Sequence, residues 1–410
     1  MYKNLLIIGN VWPEPNSTAA GRRMLQLIEA FQDHEHKITF VSPASKTDHS
    51  FPLDKLNIPT FEIQLNNASF DSLLKEIQPD IVLFDRFLTE EQFGWRLTEI
   101  CPRAIRILDT EDLHFLRAAR HQAFKKKESI ALKYLVNDIT KREIASIYRC
   151  DLSLIISKYE IELLRNIFEL NASLLIYLPF LLEKISTSKI NSYPTFDQRK
   201  NFMTIGNFKH APNWNAVQYL KNTIWPLIRS KLPNVELHIY GAYLPEKAKQ
   251  LHNKKEGFII KGRAKSLEEV FTNSKVCLTP LQFGAGLKGK LIDAMLFGTP
   301  SITTKIGAEA MHDDLSWNGI ITDDPDEFAK KSIEIYNNEQ EWLLAQKNGI
   351  QIINTCYDKE KYGKILMDSI SAVQSNIEEH RLMNFTGAML MHHTLQSTKY
   401  LSKWIEEKNK

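Results

Sequence analysis

The segment Pro280–Thr304, PLQFGAGLKGKLIDAMLFGTPSITT, holds the densest chemistry in the chain. An apolar run leads into Gly284, Ala285, Gly286, Leu287, Lys288, Gly289 and Lys290, and then into a helix-forming stretch that carries Asp293. Glycines let a ligand approach the backbone closely. Lysines beside a helix N-terminus, whose first N–H groups lack intrahelical partners, attract an anion. Together they suit a diphosphate. Gly284 to Lys290 also spells G-x4-G-K, but Leu291 stands where a Walker loop needs Ser or Thr to hold Mg²⁺, so an NTPase is set aside. A plain strand-to-helix turn is the competing reading, and it leaves the paired lysines unexplained.

Two further segments could do chemistry. WPEPNSTAAGRRM, Trp12 to Met24, links an apolar run to an amphipathic one, and its small residues Ser17, Ala19, Ala20 and Gly21 open into a helix. Glycines occur there only at Gly9 and Gly21, so the G-x-G-x-x-G fingerprint of dinucleotide enzymes is absent. ILDTEDLHFLRAAR, Ile107 to Arg120, presents His114 beside Asp109, Glu111 and Asp112. That acidic cluster has three open roles: orienting His114, holding a hydroxyl, or starting a helix, where acids are favoured. Asn16-Ser17-Thr18 spells an N-glycosylation acceptor. The start of the chain shows no signal-peptide pattern, so the sequon is read as coincidence. The DHEHK run at Asp33 and the pair His392-His393 lack the partners of a metal site, and no bound metal or cofactor is expected. Cys101, Cys150, Cys277 and Cys356 are far apart and read as reduced, partly buried thiols of a cytoplasmic protein.

These segments need a scaffold, and the hydrophobic pattern describes one. LLIIGN, KITFVSP, TFEIQL, DIVLFDR, RAIRILD and LSLIISK are short apolar runs separated by helical patterns. Such runs mark strands covered on both faces of a parallel sheet. A polar stretch follows, and the alternation restarts with FMTIGN, ELHIYG, FIIKGR, VCLTPL and SITTK. The expected organisation is a Rossmann-like domain over 1–180, a linker over 181–200, a second Rossmann-like domain over 201–370 and a helical tail over 371–410. The tail is amphipathic with a basic tip; packing on the first domain, dimerisation and contact with a membrane surface are its three readings. Net charge is +3 with 25% charged residues, too balanced to argue for nucleic acid. Lys125, Lys126 and Lys127 form a basic patch, read as a solvated helix face or a contact for an anionic acceptor such as a lipid diphosphate.

With these segments in view, the chain resembles retaining glycosyltransferases of family four, which have the GT-B fold of two facing Rossmann-like domains. TIGNFKHAPNWNAVQYLKNTIWPLI, LPNVELHIYG and FGAGLKGKLIDAMLFGTPSITTKIGAEAM carry the resemblance, joined by the opening loop and ILDTEDLHFLRAAR, over about residues 1 to 370. It implies metal-independent transfer of a sugar from a nucleotide-sugar donor to a glycan or lipid-linked acceptor, in the cytoplasm or peripherally at the inner membrane face. Asp293 takes the place of the acid that grips the donor ribose, and Ala285 the place of a Glu that contacts the sugar. Asn207 and Pro212 stand where Arg and Lys clamp the diphosphate, leaving Lys209 and Arg263 as nearby substitutes. His114 matches the His that contacts the transferred sugar, Glu309 is placed to reach nucleotide or sugar, and Lys288 and Lys290 to stabilise the leaving diphosphate. Two rivals differ in readout. A degenerate protein of the same fold would bind nucleotide without turnover. An epimerase would give a different product, and a phosphorylase needs a pyridoxal-phosphate lysine in a context this sequence does not offer.

Overall fold

The computed structural model describes residues 3–410 and, for 393–395, only the course of the chain; His393 of the His392-His393 pair therefore lies outside the described side chains. Seven parallel strands form the first sheet: β1 (Asn4–Ile8), β2 (Lys37–Ser42), β3 (Thr60–Glu62), β4 (Ile81–Asp85), β5 (Ile105–Asp109), β6 (Leu152–Ile155) and β7 (Leu175–Tyr177), in the order β3-β2-β1-β4-β5-β6-β7. Six form the second: β8 (Lys200–Ile205), β9 (Leu237–Tyr240), β10 (Phe258–Gly262), β11 (Ser274–Thr279), β12 (Ser301–Thr303) and β13 (Gly319–Ile321), in the order β10-β9-β8-β11-β12-β13. Both are covered by helices, so the molecule is two Rossmann-like α/β domains.

The continuous apolar runs follow from burial on two faces. Leu6 and Ile8 of β1, with Val82 and Phe84 of β4, enter one core, while Leu5, Ile7, Ile81 and Leu83 enter the other. Successive strand side chains point to opposite faces, so a strand buried on both has no polar position to alternate with.

In each sheet the strand order reverses once, between β1 and β4 and between β8 and β11. Connections leave in opposite directions there and open a crevice at the carboxyl ends of the strands, where ligands of such sheets bind. The two crevices face each other.

The chain crosses between domains twice, and the crossings pair: Leu182 N–H donates to the Tyr357 carbonyl at 2.8 Å, and Lys359 N–H to the Leu182 carbonyl at 3.0 Å. The second crossing precedes helix Lys359–Ser375, whose Tyr362, Leu366, Ile370 and Val373 join the core of the first sheet. The boundary expected at 370 thus falls inside a helix that belongs with the N-terminal domain. Helix Phe385–Lys408 also lies on that domain, against helices Arg86–Ile100 and Asp138–Arg149. Among the described residues no helix is long and apolar enough to cross a membrane. All four cysteines are free and buried.

Candidate active site in the interdomain cleft

The facing crevices enclose a cavity of about 410 Å³. From the N-terminal domain it is lined by Pro15–Ala20, Arg22, Arg86, Glu111, Asp112, His114 and Arg117, and from the C-terminal domain by Asn207, Lys209, His210, Asn213 and the whole turn Gly284–Lys290 with Asp293.

Helix Gly289–Leu296 starts this second wall. Its N-cap residue, Lys288, gives the first N–H groups no side-chain cap, and Leu291 N–H turns back to the Lys288 carbonyl at 2.8 Å. Lys288 is buried and its Nζ donates to the Gly286 carbonyl at 2.6 Å; Lys290 Nζ donates to Asn213 Oδ1 at 2.8 Å. Burial pulls both ammonium groups down to about 8, so both are cationic at neutral pH. The turn is tight for a reason. Gly286 has φ +62, and a Cβ there would lie 2.7 Å from Asp112 Cβ across the cleft.

His114 opens helix His114–Lys126, whose N-cap Leu113 has no capping side chain. Two buried carboxylates replace it. Glu143 Oε1 accepts from His114 N–H at 3.1 Å and its Oε2 from Phe115 N–H at 3.0 Å, while Glu160 Oε1 accepts from Leu113 N–H at 3.1 Å. The same Glu160 oxygen accepts from Gly286 N–H at 2.8 Å, so one carboxylate ties the His114 helix to the glycine turn. Burial lowers the His114 imidazole to about 4, against the pull of Asp112, so it is neutral at pH 7. Its Nε2 lies 3.6 Å from Asp112 Oδ1. Burial opposes the charge of Asp112, but Arg117, His114 and His210 outweigh it and hold the carboxyl well below its usual range. Asp109 does something else: fully buried, it takes the Arg23 guanidinium at 3.0 Å and fixes the first helix to β5.

Not every expected residue reaches the cavity. Ala20, Lys209, Gly284, Ala285, Gly286, Leu287, Lys288, Lys290, Asp293 and His114 line it. Gly21 instead packs the opening loop on its own helix, where a Cβ would meet the Glu14 backbone at 2.5 Å. Arg263 is exposed and outside the cavity, because Gly262 turns at φ +73 and Ala264 takes the inward position. Glu309 pairs with Arg120 at 2.7 Å behind the turn, and Arg120 also donates to the Gly284 carbonyl at 2.8 Å. Glu309 therefore holds the turn from outside the cavity. Lys125, Lys126 and Lys127 are exposed and outside the cavity.

Residues unforeseen in the sequence also stand there. Arg22 pairs with Asp293 across the cleft. Arg86 has φ +69, directly after β4 at the reversal point, where strained residues gather at functional sites. A topological reading of LFDR could have found it. Behind the turn stands Glu160, three residues after Ser157 at the spacing of a capping box, although Ser157 makes no cap hydrogen bond. Among the described residues no group of three or more His, Cys, Asp or Glu is gathered to hold a metal ion.

The buried carboxyls set a pH dependence. Burial raises Glu160 to about 7 and Glu143 to about 8, from an ordinary 4.5. A raised carboxyl stabilises the fold fully below its unfolded value and loses that contribution as pH rises through the folded value. His114 and His210, lowered to about 4, act in the opposite sense only below their ordinary 6.5. The melting temperature is thus expected to fall between about pH 6.5 and 8, and Glu160→Gln to flatten that fall. Scanning calorimetry across this window would refute it by showing equal slopes.

Comparison with known proteins follows the same lines. Residues 199–338 match the family described as glycosyl transferases group 1. A curated relative, an uncharacterized 44.6 kDa protein in the cps region of Klebsiella pneumoniae, is 25% identical over 179 residues, 41% of this chain; the match spans 46% of that relative's length. S. aureus TarM, solved with fondaparinux, alpha-GlcNAc-glycerol and UDP, superposes with TM-score 0.68 at 10% identity, covering 90% of this chain and 99% of its own. Anabaena HepE, solved with UDP and glucose, gives 0.68 at 13%, covering 90% and 100%. Sucrose-phosphate synthase from Thermosynechococcus elongatus gives 0.66 at 14%, covering 91% and 99%. The fold is GT-B.

Proposed function

We propose that the protein is a retaining, metal-independent glycosyltransferase that moves a sugar from a nucleoside-diphosphate sugar to a glycan or lipid-linked acceptor. The observation that carries this reading is the second wall of the cleft: Lys288, Lys290 and an uncapped helix N-terminus converge on one cavity, opposite a neutral His114. The anomeric C–O bond to the β-phosphate breaks, and a bond to the acceptor hydroxyl forms on the same face. The hydroxyl proton passes to the leaving phosphate, so the products are glycoside and nucleoside diphosphate. Negative charge grows on the β-phosphate as it leaves, and preorganised cations and N–H dipoles stabilise it best in a water-poor cleft. His114, uncharged, can hydrogen-bond a sugar hydroxyl without repelling the cationic character at the anomeric carbon. The UDP bound in TarM and HepE supports the donor class.

The reading places the protein in the cytoplasm, peripheral at the inner membrane face when the acceptor is lipid-linked. What supports surface contact is the last helix. Phe385, Met389, Tyr400 and Trp404 are exposed, and at about 100° per residue they share one face with exposed Lys403 and Glu407, flanked by exposed Lys408. Aromatic and basic residues so arranged suit an anionic lipid surface. Co-sedimentation with phosphatidylglycerol vesicles is expected and should drop several-fold in a Tyr400→Ser/Trp404→Ser variant; equal binding would remove the membrane from the account.

The function is tested by incubating the protein in EDTA with UDP-, GDP-, ADP- and CMP-sugars and following nucleotide release. Release from one donor class is expected. Binding without release, even with a panel of glycan and polyprenyl acceptors, would favour the degenerate reading that Ala285 motivates.

A further inference from the structure

We infer that Arg22 is a ligand for the donor diphosphate, and that Asp293 holds it in reserve until the nucleotide enters. Arg22 sits on the first turn of helix Ala19–Asp33 in the N-terminal domain, and Asp293 on helix Gly289–Leu296 in the C-terminal one. The two side chains pair across the cleft, and both line the cavity. The guanidinium lies over the start of the Asp293 helix: a Cβ on Gly289 would be 3.1 Å from Arg22 Nη2 and 2.5 Å from Ala19 Cβ. Arg22, Lys288 and Lys290 therefore converge on one uncapped helix N-terminus, a place that selects an anion. The present partner of Arg22 in that cavity is a carboxylate of the protein itself.

The pair is asymmetric. The Arg22 side chain is 25% exposed, while that of Asp293 is 3% exposed, and burial raises the Asp293 carboxyl against the opposing pull of Arg22 and Lys290. Arg22 can turn to another partner at small cost. Asp293 cannot be left alone, because a buried carboxylate without a partner is strongly unfavourable. A guanidinium fork fits a phosphate as it fits a carboxylate. A nucleoside diphosphate brings both replacements: phosphate oxygens for Arg22 and ribose hydroxyls for Asp293. Neither pyrophosphate nor a nucleoside brings both. Arg22 then reaches the diphosphate from the domain opposite to Lys288 and Lys290, so the leaving group is gripped from both sides only when the cleft is closed.

This inference rests on reading the cleft as a nucleoside-diphosphate-sugar site, and the test separates the two. Inorganic pyrophosphate is titrated calorimetrically into the full-length wild type, Arg22→Ala, Asp293→Asn and the double variant. Asp293→Asn is expected to tighten pyrophosphate about tenfold, because it frees Arg22, and Arg22→Ala to weaken it about tenfold. The double variant decides. If Asp293 merely repels anions, its substitution still tightens binding without Arg22, and the inference is overturned. If Asp293 masks Arg22, the gain disappears in the double variant. UDP, GDP and ADP are titrated alongside, and Arg22→Lys serves as a folded, charge-retaining control. Should the wild type and every variant bind no diphosphate, the site reading itself fails and the inference with it. Should the wild type bind a nucleotide while Arg22→Ala leaves pyrophosphate unchanged, only the inference fails.

Discussion

Lys288→Ala is expected to lower turnover of the preferred nucleotide sugar by about 100- to 1000-fold, the usual effect of removing one preorganised donor to a developing anion. Lys288 is buried at the helix start, and its ammonium is fixed by the Gly286 carbonyl at 2.6 Å, so it needs little reorganisation as charge grows on the phosphate. The alanine variant retains Lys290 and the helix N-terminus and should still fold. The same geometry sets a pH limit. With both lysines near 8 in the empty cleft, affinity for a nucleoside diphosphate should fall as pH rises through 8, by up to about tenfold per unit for each lysine. The sign follows because the cationic form binds the anion, and above 8 the cleft must take up protons to do so. Lys288→Arg should move that fall upward, since guanidinium stays charged. Turnover of Lys288→Ala within a few-fold of wild type would remove the lysine from the chemistry.

Gly286→Ala is expected to cost about as much by another route. Gly286 sits at φ +62, which an L-residue occupies at a cost of about 1 kcal/mol or more. The new methyl would also lie 2.7 Å from Asp112 Cβ and 3.5 Å from its Cα, and overpacking of that kind costs about 1–3 kcal/mol. The N–H of the same residue reaches Glu160 across the cleft. Strain and clash both act on closure, so kcat should drop about 30- to 1000-fold, following the tenfold per 1.4 kcal/mol rule. Nucleotide affinity of the C-terminal wall should change far less. Small-angle scattering would show a more open average shape. Unchanged kcat with an alanine at 286 would mean that the domains work without the observed contact.

What the sequence made legible is what is local. The strands could be read because β1 and β4 are buried on both faces and therefore show unbroken apolar runs. The glycine turn could be read because its chemistry lies within seven residues, Gly284 to Lys290. The parts that escaped act over distance. Tyr362, Leu366, Ile370 and Val373 announce a buried helix face, but their spacing says nothing of which domain receives it. Arg22 and Asp293, or Glu160 and Gly286, meet only when two domains face each other. Glu143 lies 29 positions from the His114 amide it caps. Arg263 misled for the opposite reason: it is close in sequence to a strand end, but the left-handed turn at Gly262 sends it outward.

The central claim is that the glycine turn and its two lysines hold a nucleotide's diphosphate. The most direct measurement is a crystal structure of the protein with the nucleoside diphosphate released in the donor screen, grown in EDTA. The account predicts the β-phosphate within hydrogen-bond distance of Lys288 Nζ and the N–H groups after Gly286, with Asp293 facing the ribose. A nucleotide bound elsewhere, or one whose phosphates face away from Gly284–Lys290, would contradict it.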